Sequence, residues 1–220
     1  MCSMNNRFTQ ILLRKKFGKL KLLRPLLKAA KVFCICALAV YIPMAVIAYT
    51  SNERTHTEQS AAILVSAHAI FGNDHWLPPL ALLGSYPSWT LYFNNKGLKT
   101  EYFLSATCDD FKRVLLDDKY QSVVLVGHGS YNHWRATDDS VSVLDVKRMA
   151  GKYSKKEGEW FQLSCALHDF SDIQLGEPVM KSGRSYAYNG EAGMIHFVLD
   201  ALTPFWIIKA NTKRRYEAKI

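Results

Sequence analysis

Two residues that could form a catalytic pair follow two separate runs of strand-forming residues. His128 and Gly129 come directly after SVVLVG (residues 122–127), and Cys165 lies near the end of EWFQLSCA (residues 159–166). A cysteine thiolate is a strong nucleophile, and an imidazole with an ordinary pKa of about 6.5 accepts or donates a proton near neutral pH. These residue types indicate nucleophilic catalysis if the fold brings them together.

The chain around these residues alternates between strand and helix patterns. Short apolar runs predict strands at 61–67, 100–106, 122–127 and 159–166, with a weaker one at 184–190. Helices are predicted at 87–97, 107–119 and 191–211, and residues 142–154 form either a helix or a strand, turn and helix. This order predicts an α/β fold, a three-layer sandwich with a mostly parallel sheet and helices on both faces. Chemistry collects at the carboxyl ends of such strands, so we expect His128 and Cys165 on one rim.

Local signals set the ends of the predicted helices. Pro87 stands near the start of the first, and Gly97 is placed to end it. Thr107 and Asp110 form the S/T-x-x-D/E pattern of a capping box, which places Cys108 at the first position of the next helix. Cys108 is therefore expected to be structural.

Neighbouring polar residues leave several alternatives open. His133, five positions after His128, suggests a metal, but the sequence offers no clear third ligand, and we predict neither a metal nor another cofactor. Asp138 and Asp139 either orient His128 or form a turn. Ser130 does not stand in a G-x-S-x-G motif, which argues against a serine esterase.

Two further residues are assigned by their positions. His68 follows the first strand, so it is a candidate substrate contact on the same rim. Cys108 and Cys165 are the two cysteines of the region after the apolar segment, and no C-x-x-C pair exists. A disulfide between them in an oxidising compartment remains the alternative to a free thiol.

The positive charge of the chain is concentrated at its start. Residues 1–31 hold nine Lys and Arg and no acid, and the remaining 19 basic residues are matched by 19 acidic ones. The rest of the chain is therefore neutral overall and gives no reason to expect a nucleic-acid partner. The basic stretch is either a determinant of membrane topology or an amphipathic helix on an anionic leaflet.

An uncharged segment follows the basic stretch. VFCICALAVYIPMAVIAY, residues 32–49, approaches the length of about 20 residues that a transmembrane helix needs. A buried core helix or a cleaved signal peptide are the alternatives, and we predict a single-pass signal anchor at 32–50. The positive-inside rule places the N-terminus in the cytosol and the domain outside the cytoplasmic membrane, of bacterial inner-membrane type. A polar linker at 51–60 then leads to the α/β domain.

The ordered combination of these motifs resembles the caspase-like cysteine peptidases, including metacaspases, clostripain and CHAT domains. VVLVGHGS and WFQLSCAL match the His-Gly pair after one strand and the Cys, preceded by a small residue, after the next. The resemblance spans roughly residues 61–203 and implies Cys165 as nucleophile and His128 as acid and base. It also implies that Gly129 and Cys165 donate backbone N–H groups to an oxyanion hole.

The sequence departs from the family in its specificity residues. Metacaspases have Asp two positions before the Cys, whereas this chain has Leu163. Asp169 and Asp172 follow Cys165 and are candidates for a pocket that binds a basic side chain, the alternative being solvated loop acids. We assign 61–210 to the caspase-like domain and 211–220 to a basic tail.

These observations predict a membrane-anchored cysteine endopeptidase that cleaves a protein or peptide substrate. The alternative is a caspase-like domain without peptidase activity that serves as a membrane-tethered binding or scaffold module. The predicted partners are the lipid bilayer and that substrate, and the sequence does not indicate an oligomeric state.

Overall fold

The computed structural model of this 220-residue chain describes residues 5–67, 77–130, 132–166, 173–181 and 184–187. The chain divides into two compact units, Met1–Val46 and Ile47–Ile220. The first unit holds most of one long helix. The second holds the last turns of that helix and the whole of the described sheet.

Helix α1, Asn5–Arg54, carries the basic stretch and the apolar segment without interruption. Its part Lys28–Arg54 is long and apolar enough to cross a membrane, with a mean hydropathy of 2.4. Only 6% of the most apolar window is buried, as expected for side chains that face lipid rather than a protein core. Pro43 lies inside this part, where a membrane helix tolerates it. The apolar segment therefore agrees with the predicted span at 32–50.

The second unit alternates strands and helices. Its strands are β1 (Ser60–Val65), β2 (Lys99–Leu104), β3 (Tyr120–Gly129), β4 (His133–Arg135), β5 (Ser140–Ser142), β6 (Trp160–Ala166) and β7 (Ser185–Ala187). Its helices are α2 (Leu77–Asn94), α3 (Cys108–Leu116) and α4 (Val143–Arg148). Among the described residues the strands form one seven-stranded sheet.

Five of these strands are parallel, in the spatial order β2–β1–β3–β6–β7. The short hairpin β4–β5 is antiparallel and pairs with the end of β3 through Gly129 and Trp134. Strand β6 pairs with β3 on one side as far as Gly129. The hairpin therefore lies on the other side of β3, where the pairing with β1 ends at Val126. The prediction of an α/β fold with a mostly parallel sheet is confirmed.

Apolar residues cover both faces of the sheet. On one face, Leu125 of β3 belongs to the same buried cluster as Phe111 of α3 and Val146 of α4. On the other face, the ring of Trp89 of α2 lies edge-on to that of Phe161 of β6, with centroids 5.0 Å apart. Continuous apolar strands are the consequence of burial on both faces.

Helix α2 begins earlier than the sequence predicts. It starts at Leu77, and Pro87 lies in its interior rather than at its start. Two prolines at 78 and 79 fit the first turn, where the missing N–H groups have no helical partner. The end was predicted correctly: Gly97 has a φ of +75°, and its N–H donates to the carbonyl of Asn94 at 2.9 Å.

The capping box of α3 forms as predicted. The Thr107 side chain accepts a hydrogen bond from the Asp110 N–H, and the Asp110 carboxylate accepts one from the Thr107 N–H. Residues 142–154 resolve into the end of β5 followed by α4, which has its own capping box between Ser142 and Asp145. The predicted helix at 191–211 and the tail at 211–220 lie outside the described residues.

The end of α1 is attached to the edge of the sheet by Asn52. Its side-chain amide donates to the Thr100 carbonyl at 3.1 Å and accepts from the Thr100 N–H at 2.7 Å. Asn94 of α2 donates to the same Asn52 oxygen at 2.9 Å. The helix therefore extends through Arg54 into the segment assigned to a linker, and Asn52 in that segment is buried.

Candidate functional site

The backbone pairs His128 with Cys165. Strand β3 continues through Gly129, so His128 lies inside the strand rather than just after it. In the parallel ladder between β3 and β6, His128 is the register partner of Cys165. Adjacent strands are separated by about 4.8 Å, so the two residues are direct neighbours across the ladder. The register therefore places the backbones of His128 and Cys165 side by side, as expected for two residues on one rim of the sheet.

The register also places these two positions on a common face. Val126 and Leu163 are register partners two residues earlier, and both belong to the buried cluster beside α2. Since alternate residues of a strand share a face, positions 128 and 165 fall on the α2 side of the sheet. His128 itself is half-buried at the end of its strand.

Two glycines shape the backbone around His128. Gly127 has a φ of +139°, a conformation that residues with a Cβ rarely adopt. A Cβ added to Gly129 would lie 2.6 Å from the carbonyl oxygen of His133 and 3.1 Å from the Cα of Trp134. Gly129 thus lets β4 approach β3 closely, a packing requirement that exists whether or not its N–H contacts a substrate.

Strand β3 is followed beside the pair by a short turn to β4, of which Ser130, Asn132 and His133 are described. The Ser130 N–H donates to the His133 carbonyl at 2.9 Å and closes the turn. Gln162 of β6 donates from its amide nitrogen to the carbonyls of Ser130 and, at 2.8 Å, His133. The same nitrogen contacts the Ser164 hydroxyl at 3.1 Å. The Gln162 side chain therefore fixes this turn to the strand that carries Cys165.

Side chains within the turn define the state of the His133 ring. The Ser130 hydroxyl lies 2.5 Å from His133 Nδ1 and 3.0 Å from Asn132 Oδ1, and Nδ1 lies 3.3 Å from the same Oδ1. Asn132 Oδ1 only accepts, so the Ser130 proton points to it and Ser130 Oγ accepts from Nδ1. This arrangement predicts that the His133 ring carries its proton on Nδ1. With the proton on Nδ1, Ser130 accepts from the imidazole and is not activated by it as a nucleophile.

The other candidates of this region have structural roles. Asp138 accepts a hydrogen bond from the Cys108 N–H at 2.8 Å, and Asp139 accepts one from the Ser140 N–H at 2.7 Å. Both acids thus act as turn and helix-end acceptors. Trp134 is fully buried, and its indole N–H faces the Val126 carbonyl at 3.4 Å. The part of the chain that the structure describes contains no group of three His, Cys, Asp or Glu that could hold a metal.

Cys108 is a free thiol, so it does not form the alternative disulfide with Cys165 in this structure. Burial, followed by the nearby carboxylate of Asp138, raises the pKa of the Cys108 thiol to about 11. A thiol with so high a pKa is a poor nucleophile at neutral pH. This supports the structural role predicted for Cys108.

Three predicted substrate contacts, His68, Asp169 and Asp172, lie outside the described residues. The β4–β5 hairpin and the positioning role of Gln162 were not predicted from the sequence. The pattern S-x-x-H after the His-Gly pair was the available signal for the turn.

Comparison with known proteins assigns this chain to no family. No family model matches the chain, and no curated protein is significantly similar to it in sequence.

Proposed function

We propose that this chain is a membrane-anchored, caspase-like cysteine peptidase in which Cys165 is the nucleophile and His128 is the acid and base. The observation that carries the proposal is the direct register pairing of these two residues at the carboxyl ends of adjacent parallel strands. The strand order β2–β1–β3–β6–β7 supports it, because it makes the strands of His128 and Cys165 neighbours at the centre of the sheet.

The reaction needs only these groups, a peptide and water. The Cys165 thiol gives its proton to the His128 imidazole, and the sulfur bonds to the peptide carbonyl carbon. As the C–N bond breaks, the imidazolium returns the proton to the leaving amine, which leaves a thioester. Water then loses a proton to His128, its oxygen bonds to the thioester carbon, and the carboxylic acid departs as the thiol is restored.

The oxyanion that forms on the carbonyl needs hydrogen-bond donors. In this proposal they are the backbone N–H groups of Gly129 and Cys165. Both residues are paired in the β3–β6 ladder, so these groups become donors to the substrate only when the ends of the two strands separate. Asp169 and Asp172, after β6, are proposed to bind a basic substrate side chain, and His68, after β1, is proposed as a further contact.

The proposal includes the topology of the anchor. The nine cations before the apolar segment favour a cytosolic N-terminus and a domain on the far side of the membrane. Alkaline phosphatase and green fluorescent protein fusions at the C-terminus test this in bacterial cells. We expect an active phosphatase and a dark fluorescent protein. The reverse result contradicts the topology and leaves the catalytic pair unaffected.

Thiol labelling tests the catalytic pair. Full-length protein in detergent is treated with iodoacetamide at neutral pH, and the alkylation rates of Cys165 and Cys108 are followed by peptide mass spectrometry. We expect Cys165 to react at least about tenfold faster than Cys108, whose thiol is predominantly protonated. His128→Ala is expected to remove this advantage by slowing the alkylation of Cys165, while Cys108→Ser leaves the alkylation rate of Cys165 unchanged.

An alkylation rate at Cys165 that is the same with and without His128 rules out the catalytic pair. The non-catalytic scaffold then becomes the better interpretation, since the packing around Gly129 accounts for that residue without catalysis.

A further inference from the structure

The path from Tyr49, the last residue of the apolar run, to the candidate site lies within the second unit. Asn52 is buried and makes two hydrogen bonds to the backbone of Thr100 and one to Asn94. It stands three residues after Tyr49, the last residue of the apolar run, within the same helix. Three helical residues span about 4.5 Å, so no flexible linker separates the apolar run from the sheet.

The sheet register gives the distance from Thr100 to the candidate site. Thr100 pairs with Ala61 of β1, and Ala61 pairs with Ser122 of β3, so Thr100 and Ser122 lie at the same level, two strands apart. His128 is six residues further along β3, which corresponds to about 20 Å at 3.3 Å per residue. Two strand spacings add about 10 Å sideways. The His128–Cys165 pair therefore lies about 25 Å from the Thr100 backbone.

These lengths set an upper limit on the distance of the site from the membrane. The helical step from Tyr49, the Asn52 side chain and the path along the sheet together reach about 35 Å. A free linker of ten residues would itself extend up to about 35 Å and let the domain rotate away. Because Asn52 is hydrogen-bonded to Thr100, no such length of free chain lies between Tyr49 and the sheet, and the limit holds whatever the tilt of the sheet.

We propose that the substrates of this site are peptide segments held within about 35 Å of the bilayer surface, such as the segments next to the membrane spans of other anchored proteins. The inference rests on the proposed peptidase function and on the membrane span. It adds the substrate class. Attachment through Asn52 gives peptide segments at the bilayer surface a high effective concentration at the site, and substrates fixed farther from the surface are out of its reach.

Lipid-anchored thiol probes test the distance directly. The full-length chain is reconstituted in phosphatidylcholine vesicles, and iodoacetamide is coupled to phosphatidylethanolamine through a spacer of about 40 Å, just beyond the derived limit. A second probe has a spacer more than twice as long, and a third is soluble. Labelling of Cys165 by each probe is quantified by peptide mass spectrometry.

The decisive variant inserts 40 Gly and Ser residues between Tyr49 and Thr50. It leaves the Asn52 contacts intact but separates the domain from the span, and the same insertion after Asn6 is the matched control. In the parent chain and the control, the short probe is expected to label Cys165 as efficiently as the long one. In the variant, the ratio of short-probe to soluble-probe labelling is expected to fall roughly three- to tenfold as effective concentration falls.

Two results overturn the inference: a ratio that the insertion does not change, or a parent chain that only the long probe labels. Failure of the peptidase proposal has a different signature, namely soluble-probe labelling of Cys165 that is no faster than in His128→Ala. Such a failure would leave the ratio of short-probe to soluble-probe labelling unchanged, so the two outcomes can be told apart.

Discussion

Lys156 lies with only 1% of its surface exposed and donates from Nζ to the main-chain carbonyl of Asp117 at 3.2 Å. The Tyr120 N–H donates to the same carbonyl, also at 3.2 Å. Burial lowers the pKa of the Lys156 ammonium from 10.5 to about 8, and the carboxylates of Asp118 and Asp117 oppose this only in part. A charged amine in this position destabilises the native state at neutral pH, because the unfolded chain binds the proton more tightly.

Lys156→Met is therefore expected to raise the free energy of unfolding at pH 7 by about 1–3 kcal/mol. Methionine fills a similar volume, and the Asp117 carbonyl keeps its bond from Tyr120. The free energy of unfolding of the parent chain is expected to rise between about pH 8 and 10.5, because in this range the unfolded state binds more protons than the native state. The variant is expected to lack this rise. Thermal unfolding in detergent across this range measures both effects. The exposed Lys155→Met is the control, and a destabilised variant with an unchanged pH slope contradicts the prediction.

Gly129→Ala is expected to destabilise the domain by about 1–3 kcal/mol, because its Cβ meets backbone atoms of β4 that have little room to move. Gly84→Ala in α2 is the matched control. No atom lies within 4 Å of its Cβ position, so we expect it to be neutral or to stabilise by up to about 1 kcal/mol. Chemical unfolding of the three proteins measures the difference. Equal stability of the parent chain and Gly129→Ala is the result that contradicts close packing at this strand end.

The His133 ring is expected to carry its proton on Nδ1. Nitrogen-15 NMR of histidine-labelled protein distinguishes the two ring nitrogens, and the exposed His56 serves as internal reference. Ser130→Ala removes the acceptor at 2.5 Å and is expected to shift the ring towards a mixture of tautomers. An Nε2–H signal from His133 in the parent chain contradicts the assignment.

Glu159 joins helix α2 to strand β6 through two donors. It accepts from Tyr92 Oη at 2.8 Å and from Lys96 Nζ at 2.5 Å, with its side chain only 8% exposed. Burial, and then the bond to Glu159, raise the pKa of Tyr92, so the phenol remains a donor at neutral pH.

Glu159→Gln is expected to cost about 1–3 kcal/mol, because a buried ionic acceptor loses its charge while both donors remain. The control is Glu157→Gln, whose pair with Lys181 is mostly exposed and is worth no more than about 1 kcal/mol. Equal melting temperatures for the two variants contradict the prediction.

The elements that were predicted from the sequence are those whose signal is local. The apolar runs, the Thr107–Asp110 capping box and Gly97 at the end of α2 depend on neighbouring residues, and all three appear in the structure. The pairing of His128 with Cys165 followed from one general rule about parallel sheets.

The features that were missed depend on distant contacts or on very short elements. Strands β4 and β5 have three residues each, too few to show a period. The attachment of Asn52 to Thr100 joins residues 48 positions apart, and a polar residue before a strand is equally typical of a loop. The start of α2 was misplaced because Pro87 is tolerated inside a helix that also has prolines in its first turn.

The contact between Asn52 and Thr100 has a consequence for self-association. Strand β2 is an outer strand of the described sheet, and unpaired N–H and C=O groups on such a strand are a template for a strand from another copy. The Asn52 amide satisfies both backbone groups of Thr100, so the residue that holds the helix also blocks strand exchange between copies at this end of β2.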